Sequence, residues 1–220
     1  MTERRVLVVL PHPDDESFGA AGVIAQLRRK GTPVTYVCAT LGEMGRNMGR
    51  PFFANRETLP DVRKKELENA CAVLGIEDLR LLGMRDKTLE FEDPDLFADR
   101  IQAIIDELNP SRIITFYPGH GIHPDHDACG EAVVRAVSRS PKEKRPVLHC
   151  IAIREDSEDI LGKPDVVVDV SDVLDIKIEA IKSHRTQYQG IISQFGMEAD
   201  EQNQELRQWL ARETFWVYDV

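Results

Sequence analysis

The residues best suited to chemistry lie in two short stretches of this chain. VVLPHPDDES (residues 8–17) crowds His12, Asp14, Asp15 and Glu16 together directly after a run of branched apolar residues. GHGIHPDHDA (residues 119–128) sets His120, His123, Asp125 and His126 in similar surroundings. His12 and Asp15 are three apart, as are His123 and His126, and Pro13 and Pro124 follow the first histidine of each pair. Proline fixes φ where a chain leaves a strand and begins to coil, and a turn opening into a helix brings positions i and i+3 to one side. Two imidazoles and a carboxylate from such turns make a three-ligand site for Zn²⁺. One position is left for water, the catalytic pattern rather than the closed structural one. Fe²⁺ accepts the same donors.

Plainer readings compete. HPDDE alone also reads as a helix start, with Asp14 or Asp15 capping and Glu16 suiting the dipole. The second HPD favours a metal, because capping requires no histidine. A phosphate-binding turn is disfavoured by carboxylates where the phosphate would sit and by the lack of GxGxxG spacing. Cys129, three residues after His126, reads as an inert buried thiol, and His149 as core.

Alternating elements must position these groups. Residues 4–10 read as a strand covered on both faces, 16–30 as a helix ending at Gly31, and 33–40 as a second strand. A long loop (41–60) precedes a helix over 61–75, with Asp61 as cap and Gly75 at its end. Further strands are expected at 79–84, 112–117, 146–155, 165–170 and 214–219. Helices are expected at 94–109, 125–140, 173–187 and 200–213. The order predicts one α/β domain over 1–220, Rossmann-like, with a mostly parallel sheet flanked by helices on both faces. Both clusters directly follow strands, which puts them at the carboxyl edge where such sheets bind ligands, on adjacent strands by inference.

With 38 acidic against 28 basic residues the net charge is −10, which argues against nucleic acid and anionic membranes as partners. No apolar run approaches the roughly 18 residues of a membrane span, and VLVVL is too short for a signal peptide. Four scattered cysteines suit a reduced, cytoplasmic protein. A homo-oligomer is the expected assembly.

PHPDDE and HPDH, together with TLGEMGRN (40–47), VRKKELENACAVLG (62–75) and SHRTQ (183–187), resemble the LmbE/PIG-L family of zinc-dependent N-acetylglucosamine deacetylases. The resemblance implies a Zn²⁺ site made by His12, Asp15 and His126, Asp14 as general base, and His123 as partner of the developing oxyanion. It implies a small amino-sugar conjugate as substrate, namely N-acetylglucosaminyl malate in bacillithiol biosynthesis, and Arg63 as a substrate contact. The residue chemistry agrees. Zinc lowers the pKa of water towards about 7, Asp14 can relay a proton, and a protonated His123 can stabilise an oxyanion. Asp125 could orient His123 and raise its pKa. Arg46 and Arg50 in the long loop could also meet a carboxylated aglycone, and Glu43 could bond a sugar hydroxyl. Some relatives carry tyrosine where this chain has Gly121, and Tyr117 or His120 are the candidates to replace it. His184 could line the site or be structural. The alternatives are a deacetylase of another small N-acyl substrate and a metal-free sugar- or anion-binding module.

Overall fold

Strand β1 (Val6–Leu10) is buried at all five positions, as a continuous apolar run requires. Val6, Val8 and Leu10 face one side of the sheet and Leu7 and Val9 the other, so one strand feeds two cores. The computed structural model describes residues 3–194 and 203–220. Among these, β1 joins β2 (Val34–Cys38), β3 (Asp78–Leu81), β4 (Arg112–Phe116), β5 (Val147–Ile151), β6 (Val166–Asp169) and β7 (Arg212–Tyr218). They form one sheet of order β3-β2-β1-β4-β5-β7-β6. β7 runs antiparallel to both β5 and β6, and the remaining pairs are parallel. The mostly parallel α/β sheet expected from the element order is what forms.

One face of the sheet packs on helices α2 (Ala21–Arg29), α3 (Leu59–Leu74) and α7 (Leu174–Ser183), the other on α4 (Pro94–Leu108) and α5 (Pro124–Ser138). Several ends follow local chemistry. Asp93 caps α4 by accepting from the N–H groups of Asp95 and Leu96, and Gly75 ends α3 in the left-handed region. Asp61 falls inside the first turn of α3 rather than at its cap, which is Thr58.

The helix expected over 16–30 is broken at Ala20 into α1 (Asp15–Gly19) and α2. The cause is distant in sequence: the Glu213 carboxylate on β7 accepts from Gly22 N and Val23 N, both at 2.8 Å, capping α2. Lys177 lies 2.7 Å from the same carboxylate. The helix expected over 173–187 stops at Ser183, and two short helices, α6 (Ser157–Leu161) and α8 (Tyr188–Gln194), stand in segments not assigned to helix. Of the helix expected over 200–213, residues 200–202 lie outside the described residues; α9 spans Gln204–Leu210, and β7 already begins at Arg212.

His149 on β5 is buried, as its core reading requires, and burial, aided by Arg112, pushes its pKa down to about 4. An unfolded histidine titrates near 6.5, so between those values the unfolded chain binds more protons and stability falls as pH drops. His149→Gln is therefore expected to flatten the acid limb of the unfolding free energy, by up to about 1.4 kcal/mol per pH unit. Urea melts from pH 7.5 to 4 read this; parallel curves for the two proteins would refute it.

Candidate active site

β1 and β4 are parallel neighbours with Val8 opposite Ile114, so the turns that follow them leave the same edge of the sheet. His12, Asp14, Asp15, Arg63, His123 and His126 thereby line one cleft of about 570 Å³. Donor atoms of His12, Asp15 and His126 all lie within 4.8 Å of one another. Asp15 bridges the two imidazoles, with Oδ2 3.5 Å from His12 Nδ1 and Oδ1 3.4 Å from His126 Nε2. Its Oδ2 also accepts from His12 N at 2.8 Å, closing the first turn. Phe116, the last residue of β4, stacks on the His126 ring at 3.9 Å and holds its plane. Two nitrogens and a carboxylate of this kind fit a divalent cation.

The surrounding charge points the same way. His12 Nε2 stands 3.2 Å from both Asp86 Oδ1 and Asp125 Oδ2, and Nδ1 faces Asp15, so three carboxylates crowd one imidazole. Burial opposes charging of His12, but Asp125, Asp15 and Asp86 outweigh it and raise its pKa. Burial would also raise Asp15, yet His126 and His12 hold it well below the usual carboxylate range. Histidine ligands commonly give their second nitrogen to a carboxylate, which fixes tautomer and orientation. Asp86 and Asp125 occupy that position for His12.

Asp14 occupies the cap position of α1, but its side chain makes no capping bond. Its φ of 115° is the left-handed conformation that costs a non-glycine residue of order 1–3 kcal/mol. The carboxylate turns instead to Arg63, whose Nη2 donates to Asp14 Oδ2 at 2.8 Å. Burial pushes the Asp14 pKa up to about 6 although Arg63 pulls it down. Arg63 is only 4% exposed, buried although it stands in the first turns of a helix. Its guanidinium also donates to the carbonyls of Pro13 and Gly42.

His123 is itself the N-cap of α5: its Nδ1 accepts from Asp125 N at 3.1 Å. Capping thus does use a histidine here. An accepting Nδ1 places the neutral ring's proton on Nε2. Burial, reinforced by His12, lowers the His123 pKa. The Asp125 carboxylate does not hydrogen-bond His123; it accepts from Lys87 N and Leu89 N at 2.7 and 3.1 Å and faces His12.

Other expected residues sit further out. Glu43 accepts from Asp86 N at 2.9 Å, bracing the loop that carries Asp86. Arg46 lines a neighbouring cavity. A Cβ at Gly121 would lie 2.5 Å from the His126 Cβ, so this backbone excludes the tyrosine of some relatives. His120 is buried against Ser157 Oγ at 3.1 Å, and Tyr117 rests on Tyr218 and His120. Cys129 is fully buried, and burial raises its thiol. His184 does not line the cleft: it is buried and 2.7 Å from Glu16 Oε1. Glu16 also accepts from Asp14 N and from the Tyr36 hydroxyl, forming a network beneath the first turn. Asp86 went unnoticed in the sequence, although its place just beyond a strand end was a usable signal.

Comparison with known proteins agrees with this geometry. The family model described as PIG-L: GlcNAc-PI de-N-acetylase matches residues 7–137, spanning both histidine turns. The Bacillus subtilis (strain 168) protein named "Probable N-acetyl-alpha-D-glucosaminyl L-malate deacetylase 2" is 57% identical over 216 residues, 98% of each chain. A Bacillus cereus protein of the same name is likewise 57% identical, again over 98% of each. The solved N,N'-diacetylchitobiose deacetylase of Pyrococcus horikoshii superposes with a TM-score of 0.73 at 22% identity, covering 99% of this chain and 84% of that one; such a likeness speaks for the fold alone. The family match over most of the chain, and identity above one half along nearly its full length, establish that the protein belongs to the PIG-L/LmbE family of de-N-acetylases.

Proposed function

We propose that the protein is a metal-dependent deacetylase that hydrolyses the acetamide of N-acetylglucosaminyl malate, releasing acetate and the free amine, as in bacillithiol biosynthesis. The observation that carries this is the convergence of His12, Asp15 and His126 on one point beside a buried, non-capping Asp14. The substrate is taken from the names of the Bacillus relatives. His12, Asp15 and His126 would hold the cation, Zn²⁺ by donor type with Fe²⁺ as the alternative. When bound, such an ion supplies Lewis acidity and lowers the pKa of water.

The chain's own groups account for the rest. Asp14, aimed by Arg63, takes a proton from the attacking water and delivers it to the departing amine. His123 presents Nε2–H to the oxygen of the tetrahedral intermediate, and it can do so as a neutral ring. Asp86 and Asp125 fix the His12 ring through Nε2. The reading is tested by incubating the protein with N-acetylglucosaminyl malate and with plain N-acetylglucosamine and measuring free amine. Faster release from the malate conjugate is expected. Release from neither, with metal loaded, would overturn the proposal, and equal release would remove malate from it.

A further inference from the structure

We infer that Arg46, Arg50 and Arg185 form an anion subsite beside the catalytic cleft, which takes the carboxylates of the substrate's aglycone. The inference rests on the deacetylase reading above but draws on a separate cavity. That cavity, of about 220 Å³, is lined by the three arginines together with Gly49, Thr186 and Gln189. One wall is the long loop after β2; the other is the segment leading from His184 into α8. The walls are joined: Gln187 Nε2 donates to the Asn47 carbonyl at 3.2 Å. Gly190 packs so close that a Cβ there would lie 2.4 Å from Asn47 Nδ2. The same two walls send Gly45, Gln187 and Ile191 into the catalytic cleft. Arg46 follows Gly45, and Thr186 and Gly190 flank that second set, so along each wall the two cavities are lined by successive residues.

Among the described residues, nine arginines pair with carboxylates. Arg46, Arg50 and Arg185 make no ion pair among the described residues, although acidic residues exceed basic ones by ten. All three arginines that line this small cavity are exposed; their like charges repel at short range, and an anion bound among them offsets that cost. The Arg185 guanidinium lies over the Phe53 ring, 5.0 Å from its centroid. A cation–π contact consumes none of the guanidinium N–H groups. Guanidinium forks match carboxylates in paired hydrogen bonds, and two or three of them suit a dicarboxylate such as malate.

The test compares the wild type with the double variant Arg50→Gln/Arg185→Gln on N-acetylglucosaminyl malate and on the neutral methyl glycoside of N-acetylglucosamine. The preference for the malate conjugate, as a ratio of kcat/KM, is expected to fall at least about tenfold, the worth of one or two charge-assisted hydrogen bonds, and the loss should reside in KM. An unchanged ratio overturns the subsite. Thermal unfolding with free L-malate is read in parallel and needs no turnover. The wild type should be stabilised more than the variant; equal shifts would count against the cavity. If the wild type cleaves neither compound, the deacetylase reading fails while the malate shift still judges the arginines. Inorganic phosphate protecting the wild type as well as malate does, with no change in substrate preference, would make this a general anion site and overturn its assignment to the aglycone.

Discussion

Asp14→Asn is expected to lower kcat by a factor on the order of 10²–10⁴, the usual worth of a positioned general base, while metal content stays at the wild-type level. Asparagine keeps an acceptor oxygen for Arg63, which also retains the Pro13 and Gly42 carbonyls. The buried guanidinium is therefore not stranded, and the turn that carries Asp15 is preserved. Lost is the ability to accept a proton. The strained backbone at residue 14, the absence of any capping role and the bond to Arg63 all direct this carboxylate towards the cleft rather than towards the stability of α1. Single-turnover amine release, with metal measured on the same sample, separates the two effects. A variant that turns over like the wild type, or one that emerges without metal, would undo the assignment of Asp14 as base.

Asp15→Ala should behave in the opposite way, losing the metal itself. Groups that only orient metal ligands are worth about 10–100-fold in affinity, so removal of the bridging ligand should cost more than about 100-fold. Asp15 is bonded at both ends of the site, to His12 and to His126, and no other described carboxylate spans those two rings. Metal analysis of protein purified without chelator is expected to find the ion in the wild type and little in Asp15→Ala. A chelator should lower the melting temperature of the wild type, because ligand binding to the folded state alone stabilises it, and should leave the variant unmoved. The carboxylates gathered around His12 (Asp15, Asp86 and Asp125) give the physical reason: a cation offsets a mutual repulsion that the neighbouring imidazoles otherwise meet. Wild-type metal content in Asp15→Ala would rule out this centre.

Much of this was legible along the chain because it is local. The unbroken apolar run of β1, Asp93 before Pro94, Gly75 after α3 and the i, i+3 pairs His12/Asp15 and His123/His126 are encoded by neighbouring residues, whose propensities and turn geometry act over a few positions. Residue type likewise sufficed to point to a divalent metal. What neighbours could not convey were the pairings made across the fold. Asp86 meets His12 from the loop after β3 and Asp125 from the first turn of α5, and Asp125 does so rather than turning to the His123 two positions before it. Arg63 is buried because its guanidinium reaches Pro13, Asp14 and Gly42, all distant along the chain. Glu213, almost two hundred residues away, decides where α1 ends and α2 begins. In each case the deciding energy is the burial of a charge, which costs several kcal/mol unless a partner is supplied. Which partner is in reach is settled only when the strands have assembled into one sheet.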